Sequence, residues 1–244
     1  MMTTQIIPDW PAPTNVKAIS TTRVGGTSVA PYQSFNLGLH VGDNPLAVCH
    51  HRDSLQHQLQ LPSSPAWLNQ THSTTVLTLT KPLLEVVDAD GSYTQQSGIA
   101  CTVMTADCLP VLLCDKAGTQ VAAVHAGWRG LVDGIIEQAL ALFNAPSSDI
   151  LVWLGPAIGP QQFEVGEEVR QQFMAVLPEA ECAFTAHGEK WLADIYQLAR
   201  QRLCHSGITH IYGGEHCTVT ESETFFSYRR DGITGRQASL IWIE

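Results

Sequence analysis

Three short apolar runs at the centre of this 244-residue chain constrain its fold more than any other feature: 99–104, 109–114 and 120–125. Each has the length and composition of a buried strand. Cys108 falls in the loop between the first two runs. His125 closes the third, and Gly127 leads directly into a stretch with helical spacing over 128–143. Loops at strand ends, held by a rigid scaffold, are where catalytic groups usually sit.

The flanking segments fit the same plan. A helix is expected over 45–58 and a strand over 76–79. A further buried strand, 150–154, is stopped by Gly155-Pro156. Amphipathic helices are expected over 165–176 and 191–203, and late strands over 208–212, 224–228 and 239–243. Strand groups mixed with helices predict an α/β or α+β fold of layered sheets covered by helices. No repeat, low-complexity tract or long linker divides the chain, so residues 1–244 are read as one domain.

His72, Cys108 and His125 lie 36 and 17 residues apart. That is too far for a zinc finger and suits loops gathered by a folded sheet. One thiolate and two imidazoles make three ligands for zinc, with a fourth position open, as in catalytic rather than structural zinc sites. A second reading makes Cys108 a nucleophile activated by His125. Copper chemistry of the multicopper type asks for many histidines, largely in His-x-His pairs. The chain has ten histidines and no such pair. A blue-copper centre would also need an axial methionine, for which Met104 is the nearest candidate.

Composition narrows the partners. The net charge is −10, with four lysines and nine arginines, which argues against nucleic acid or an anionic membrane as the main partner. Several arginines stand in motif-like places: Arg23, Arg129, Arg229, Arg230 and Arg236. The guanidinium fork suits phosphate or carboxylate, so a small anionic ligand is expected. Arg129 falls in the first turn of the expected 128–143 helix, whose free N–H groups favour an anion. Asp107, beside Cys108, is the nearest carboxylate for proton transfer; Asp90 and Glu164 are the other candidates. No apolar stretch is long enough to cross a membrane. The start of the sequence lacks the pattern of a secretion signal. The seven cysteines include no C-x-x-C. A cytoplasmic setting follows as the expectation.

Together these segments closely resemble the YfiH family, also called laccase-domain or polyphenol-oxidase-like proteins. The resemblance covers essentially the whole chain. It is carried by Ser20-Thr21-Thr22-Arg23-Val24-Gly25-Gly26, by Asn36-Leu37-Gly38-Leu39-His40-Val41-Gly42-Asp43-Asn44 and by Trp67-Leu68-Asn69-Gln70-Thr71-His72. Thr105-Ala106-Asp107-Cys108-Leu109-Pro110, Val124-His125-Ala126-Gly127-Trp128-Arg129-Gly130, Leu154-Gly155-Pro156-Ala157-Ile158-Gly159 and Phe226-Ser227-Tyr228-Arg229-Arg230-Asp231 complete it. One departure is Gln70-Thr71-His72-Ser73, where relatives often carry Gln-Val-His-Gly; the ligand itself is kept.

The resemblance implies zinc on His72, Cys108 and His125 and a single-domain α/β/β/α sandwich. It implies phosphorolysis of adenosine, inosine and methylthioadenosine, with adenosine deamination as a side activity. Its segments suggest Arg23, Asn36, Arg229 and Arg230 for substrate binding. Removal of serine from wrongly loaded muramyl precursors is also associated with the family, by zinc or by Cys108. The partners to expect are therefore purine nucleosides and phosphate.

Overall fold

The computed structural model describes residues 5–244. The strands are β1 Gln5–Ile6, β2 Val16–Thr21, β3 Val76–Leu79, β4 Gly91–Thr94, β5 Cys101–Thr105, β6 Leu109–Asp115, β7 Val121–Ala126, β8 Ile150–Leu154, β9 Glu164–Val165, β10 Phe184–His187, β11 Lys190–Ala193, β12 His210–Gly213 and β13 Gln237–Ile243. The helices are α1 Pro45–Gln58, α2 Trp128–Asp133, α3 Ile135–Leu140, α4 Glu167–Val176, α5 Ile195–His205 and α6 Tyr228–Asp231. They form an α/β/β/α sandwich. A six-stranded mixed sheet runs β12-β8-β6-β7-β4-β3, and a four-stranded antiparallel sheet runs β1-β2-β13-β5. The chain's two ends share the second sheet, because β13 pairs with both β2 and β5.

The period-two alternation of side chains builds the layers. On β6, Leu109, Val111 and Leu113 face the helices, in one core with Leu131, Ile135, Phe173 and Leu198. Leu112 and Cys114 face the other way, into the core between the sheets, with Val103 and Ile241. On β13, Ile241 and Ile243 enter that core, while Leu240 and Trp242 meet Leu55 of α1 outside. The apolar runs of the central strands are thus buried on both faces.

Three segments differ from the sequence expectation. The helix expected over 128–143 breaks in two at Gly134, whose φ of 98° is left-handed. Residues 190–193 form a hairpin strand instead of helix. The helix follows only where the Asp194 side chain accepts from Gln197 N at 2.9 Å. Residues 224–228 are no strand: neighbours Phe225 and Phe226 are both buried. The backbone of Phe226 is satisfied by the Gln237 carboxamide, Oε1 accepting at 2.9 Å and Nε2 donating at 3.3 Å. This side-chain substitute for a strand neighbour leaves 228–231 free to turn into α6.

Candidate metal centre

The site forms where the central strands end. Cys108 sits in the β5–β6 loop, His125 lies near the end of β7, and His72 lies in the loop before β3. Their ligand atoms all lie within 4.8 Å of one another. Cys108 Sγ is 3.7 Å from His72 Nε2, and the two imidazole rings meet edge to face at 4.8 Å. Burial grades from His125, 4 % exposed, through half-buried Cys108 to exposed His72, so the trio opens to one side.

Asp90 organises this cluster. Its wholly buried carboxylate accepts from three successive backbone N–H groups, Thr71 at 3.1 Å, His72 at 3.0 Å and Ser73 at 2.6 Å. It also accepts from Ser73 Oγ at 2.8 Å and His125 Nδ1 at 2.8 Å. One side chain thus folds the loop that carries His72, which has a φ of 63°, and orients the ring of His125. With Nδ1 bonded to Asp90, Nε2 is left for the cluster, the arrangement that outer carboxylates give to metal-binding histidines.

The charges follow from this packing. Burial opposes ionisation of the Cys108 thiol. The charge of His125 and hydrogen bonds from His125 and His72 outweigh it, and the thiol pKa falls to about 6. Burial also disfavours the His125 imidazolium, but Cys108 and Asp90 raise its pKa to about 9. Asp90 resists the same burial through His125 and Ser73 and is held well below the usual carboxylate range. These shifts favour a Cys108 thiolate beside a His125 imidazolium, backed by the Asp90 carboxylate.

The donor set fits a zinc-sized ion. With Zn–S of about 2.3 Å and Zn–N of about 2.0–2.1 Å, tetrahedral geometry separates S from N by roughly 3.5 Å, close to the distance found here. Gly127 makes the room. A Cβ there would stand 2.7 Å from His72 Cδ2 and 3.1 Å from Cys108 Sγ.

The trio floors a cavity of about 300 Å³, whose walls include Met104, Thr105, Ala106, Gln70, His40, Tyr228 and Arg236. Gln70 is committed to the backbone of Met104 through paired 2.8 Å bonds. His40, on the rim, is held below the usual histidine pKa by partial burial and by the charges of Arg236 and Arg52. Tyr228 is 63 % exposed, presenting an aromatic ring at the mouth.

Of the other sequence candidates, Arg236 lines the cavity, and the remainder lie outside its wall. Asp107, with φ 100°, accepts from Thr218 Oγ1 and from Arg229 N, both at 2.6 Å. Its carboxylate thereby ties α6, and so Tyr228, to the β5–β6 loop. Arg129 is exposed and its guanidinium stacks over Trp128 at 4.3 Å. Helix α2 behind it has only six residues. Arg23 donates to the carbonyls of Gln33 and Ser222, and Arg229 to those of Gln162 and Glu164. Arg230 binds three carbonyls and Asp231. Asn36 is buried and bonds Gly38, Asp43 and Arg236 N. Glu164 pairs on the surface with Lys190 and His187. The orienting role of Asp90 and the cavity position of Tyr228 were missed, whereas Arg236 was among the five arginines expected to meet an anion. The sequence signals for Asp90 and Tyr228 were one of three Asp-Gly pairs, here before a strand, and a place within an arginine-bearing motif.

Comparison with known proteins places the chain. Residues 17–244 match the family described as multi-copper polyphenol oxidoreductase laccase. "Purine nucleoside phosphorylase YfiH" of Shigella flexneri is 57 % identical over 242 residues, 99 % of this chain and 100 % of that protein. The crystal structure of NMB0706 from Neisseria meningitidis is similar with a TM-score of 0.93 at 52 % identity, covering 98 % of this chain and 99 % of that one. The structure of YlmD from Geobacillus stearothermophilus is similar with a TM-score of 0.90 at 32 % identity, covering 96 % and 94 %. The chain belongs to this laccase-like YfiH family.

Proposed function

We propose that this member of the family is a zinc-dependent purine nucleoside phosphorylase acting on adenosine, inosine and methylthioadenosine, with adenosine deamination as a side activity. The observation that carries the reading is the His72–Cys108–His125 trio opening into a cavity with an aromatic rim and one arginine. The relatives named purine nucleoside phosphorylase, matched along their whole length, support it. The family description mentions several coppers, but among the described residues only one such trio of side chains is brought together.

When bound, zinc would supply a Lewis acid at the cavity floor. The chain's own groups do the rest. Tyr228 offers its ring to the purine face, and Asp90 keeps His125 oriented. In phosphorolysis a phosphate oxygen bonds to C1′ while the bond from C1′ to the purine nitrogen breaks. The electron pair leaves on the purine, which takes up the proton the phosphate gives up. Deamination asks in addition for a carboxylate to shuttle protons. Asp90 and Asp107 have both oxygens engaged, so this activity is expected to be the slower of the two.

The test is purified protein with a nucleoside panel, with and without phosphate, products read by mass spectrometry and metal measured alongside. The expected result is free base plus ribose 1-phosphate only with phosphate, and about one zinc per chain that falls away in Cys108→Ala and His125→Ala. Equal turnover in phosphate-free buffer would remove the phosphorylase reading.

A second reading rests on the Cys108–His125–Asp90 chain of contacts, which is also the layout of a thiol nucleophile with base and orienting carboxylate. It would serve a hydrolase acting on serine-containing muramyl precursors. Serine release by metal-stripped protein, independent of phosphate, distinguishes it.

A further inference from the structure

Of the arginines, Arg236 is the one that lines the metal cavity, and its surroundings read as a prepared donor. It enters no ion pair among the described residues. Nη1 is fixed to the carbonyls of Thr234 at 3.2 Å and Gly235 at 2.9 Å, while Nε and Nη2 make no hydrogen bond there. Its backbone is clamped on both sides: Arg236 N donates to Asn36 Oδ1 at 2.8 Å, and Leu37 N donates to Arg236 O at 3.1 Å. Its stem passes over Gly38, where a Cβ would come within 2.9 Å of Cγ. A long cationic side chain held at its base, middle and one nitrogen loses little further freedom on binding an anion.

A second observation concerns the same wall. Thr105 ends β5 beside the start of β13, paired with Gln237. It is 2 % exposed, lines the cavity, and its buried Oγ1 has no partner. A buried hydroxyl without a partner is costly unless a ligand completes it. The cavity wall carries no carboxylate. Behind it Arg52, also without an ion pair, bonds Leu37 O and the sulfur of Met104. Two guanidinium nitrogens and one hydroxyl without hydrogen-bond partners suit a tetrahedral oxyanion.

We propose that Arg236 and Thr105 form the subsite that takes inorganic phosphate beside the metal ligands. The inference rests on the phosphorylase reading and makes it specific: the phosphate-recognising arginine is the residue immediately before β13.

Initial rates with phosphate varied, on metal-loaded protein, test this for Arg236→Lys, Arg236→Gln and Thr105→Val, with Arg129→Lys for comparison. Arg236→Lys keeps the charge and loses the fork. It should raise the KM for phosphate about tenfold or more, the loss of one charge-assisted contact. The nucleoside KM should stay within about twofold, with zinc content and Tm unchanged. Thr105→Val should shift the phosphate KM the same way by a smaller factor. A shift confined to the nucleoside KM, or a phosphate KM that moves in Arg129→Lys and not in the Arg236 variants, overturns the subsite. Calorimetric titration of phosphate separates this from the reaction itself. Millimolar binding to the native chain that Arg236→Gln abolishes sustains the subsite even if turnover proves independent of phosphate. Equal binding by both overturns it.

Discussion

Asp90 accepts from the backbone of Thr71, His72 and Ser73 and from the ring of His125. Its two oxygens serve the loop of His72 and the ring of His125 at once, so ligand placement and ligand charge are coupled through one buried group. The coupling has a measurable sign. In metal-stripped protein the Cys108 thiolate persists down to a pKa of about 6. Alkylation of Cys108, followed by peptide mass spectrometry, should therefore rise through an inflection near that pH. The three exposed cysteines, Cys49, Cys182 and Cys204, provide the contrast within the same digest. Asp90→Asn removes the charge that favours the His125 imidazolium, so the Cys108 inflection should move upward. An inflection unmoved by the substitution would show that Asp90 only shapes the loop. Added zinc should protect Cys108 in the native chain. Lowering the pH should weaken zinc binding, because both Cys108 and His125 must be unprotonated to ligate.

At the scale of elements, the decisive feature is how closely the start of α2 approaches the ligands. Gly127 precedes the helix with φ −60° and ψ 159°, a conformation any residue can adopt, so its glycine answers to space rather than to backbone geometry. Gly127→Ala should leave the circular dichroism spectrum intact while zinc affinity, measured by chelator competition, falls by an order of magnitude or more. Native affinity in that variant would mean that the loop of His72 yields easily. The same elements explain the uneven legibility of the sequence. Helix α1 and strands β3 and β8 match their expected bounds because capping at Asn44, strand alternation and the Gly155-Pro156 stop are local signals. The 128–143 helix and the 224–228 strand failed because the deciding partners are remote or conformational: the left-handed turn at Gly134, and Gln237 reaching Phe226.

At the scale of the whole molecule, two sheets share one apolar seam and the site hangs from its edge. Leu112, fully buried between the sheets, lies on the β6 strand that follows Cys108. Leu112→Ala should lower unfolding free energy by about 2–5 kcal/mol in denaturant titration, with zinc stoichiometry kept in the folded fraction. Loss of metal without loss of stability would break the separation between core and site. The sequence by itself determined the layered fold class, the burial of the central strands and the three metal-capable side chains. Residue type and short-range periodicity suffice for these. Only the tertiary structure decided which charged groups accompany the trio. Asp90, Arg236 and Tyr228 reach it through strand pairing and loop packing across long separations. Arg23, Arg229 and Arg230, equally conspicuous in sequence, are drawn off by backbone carbonyls that become available only when the chain has folded.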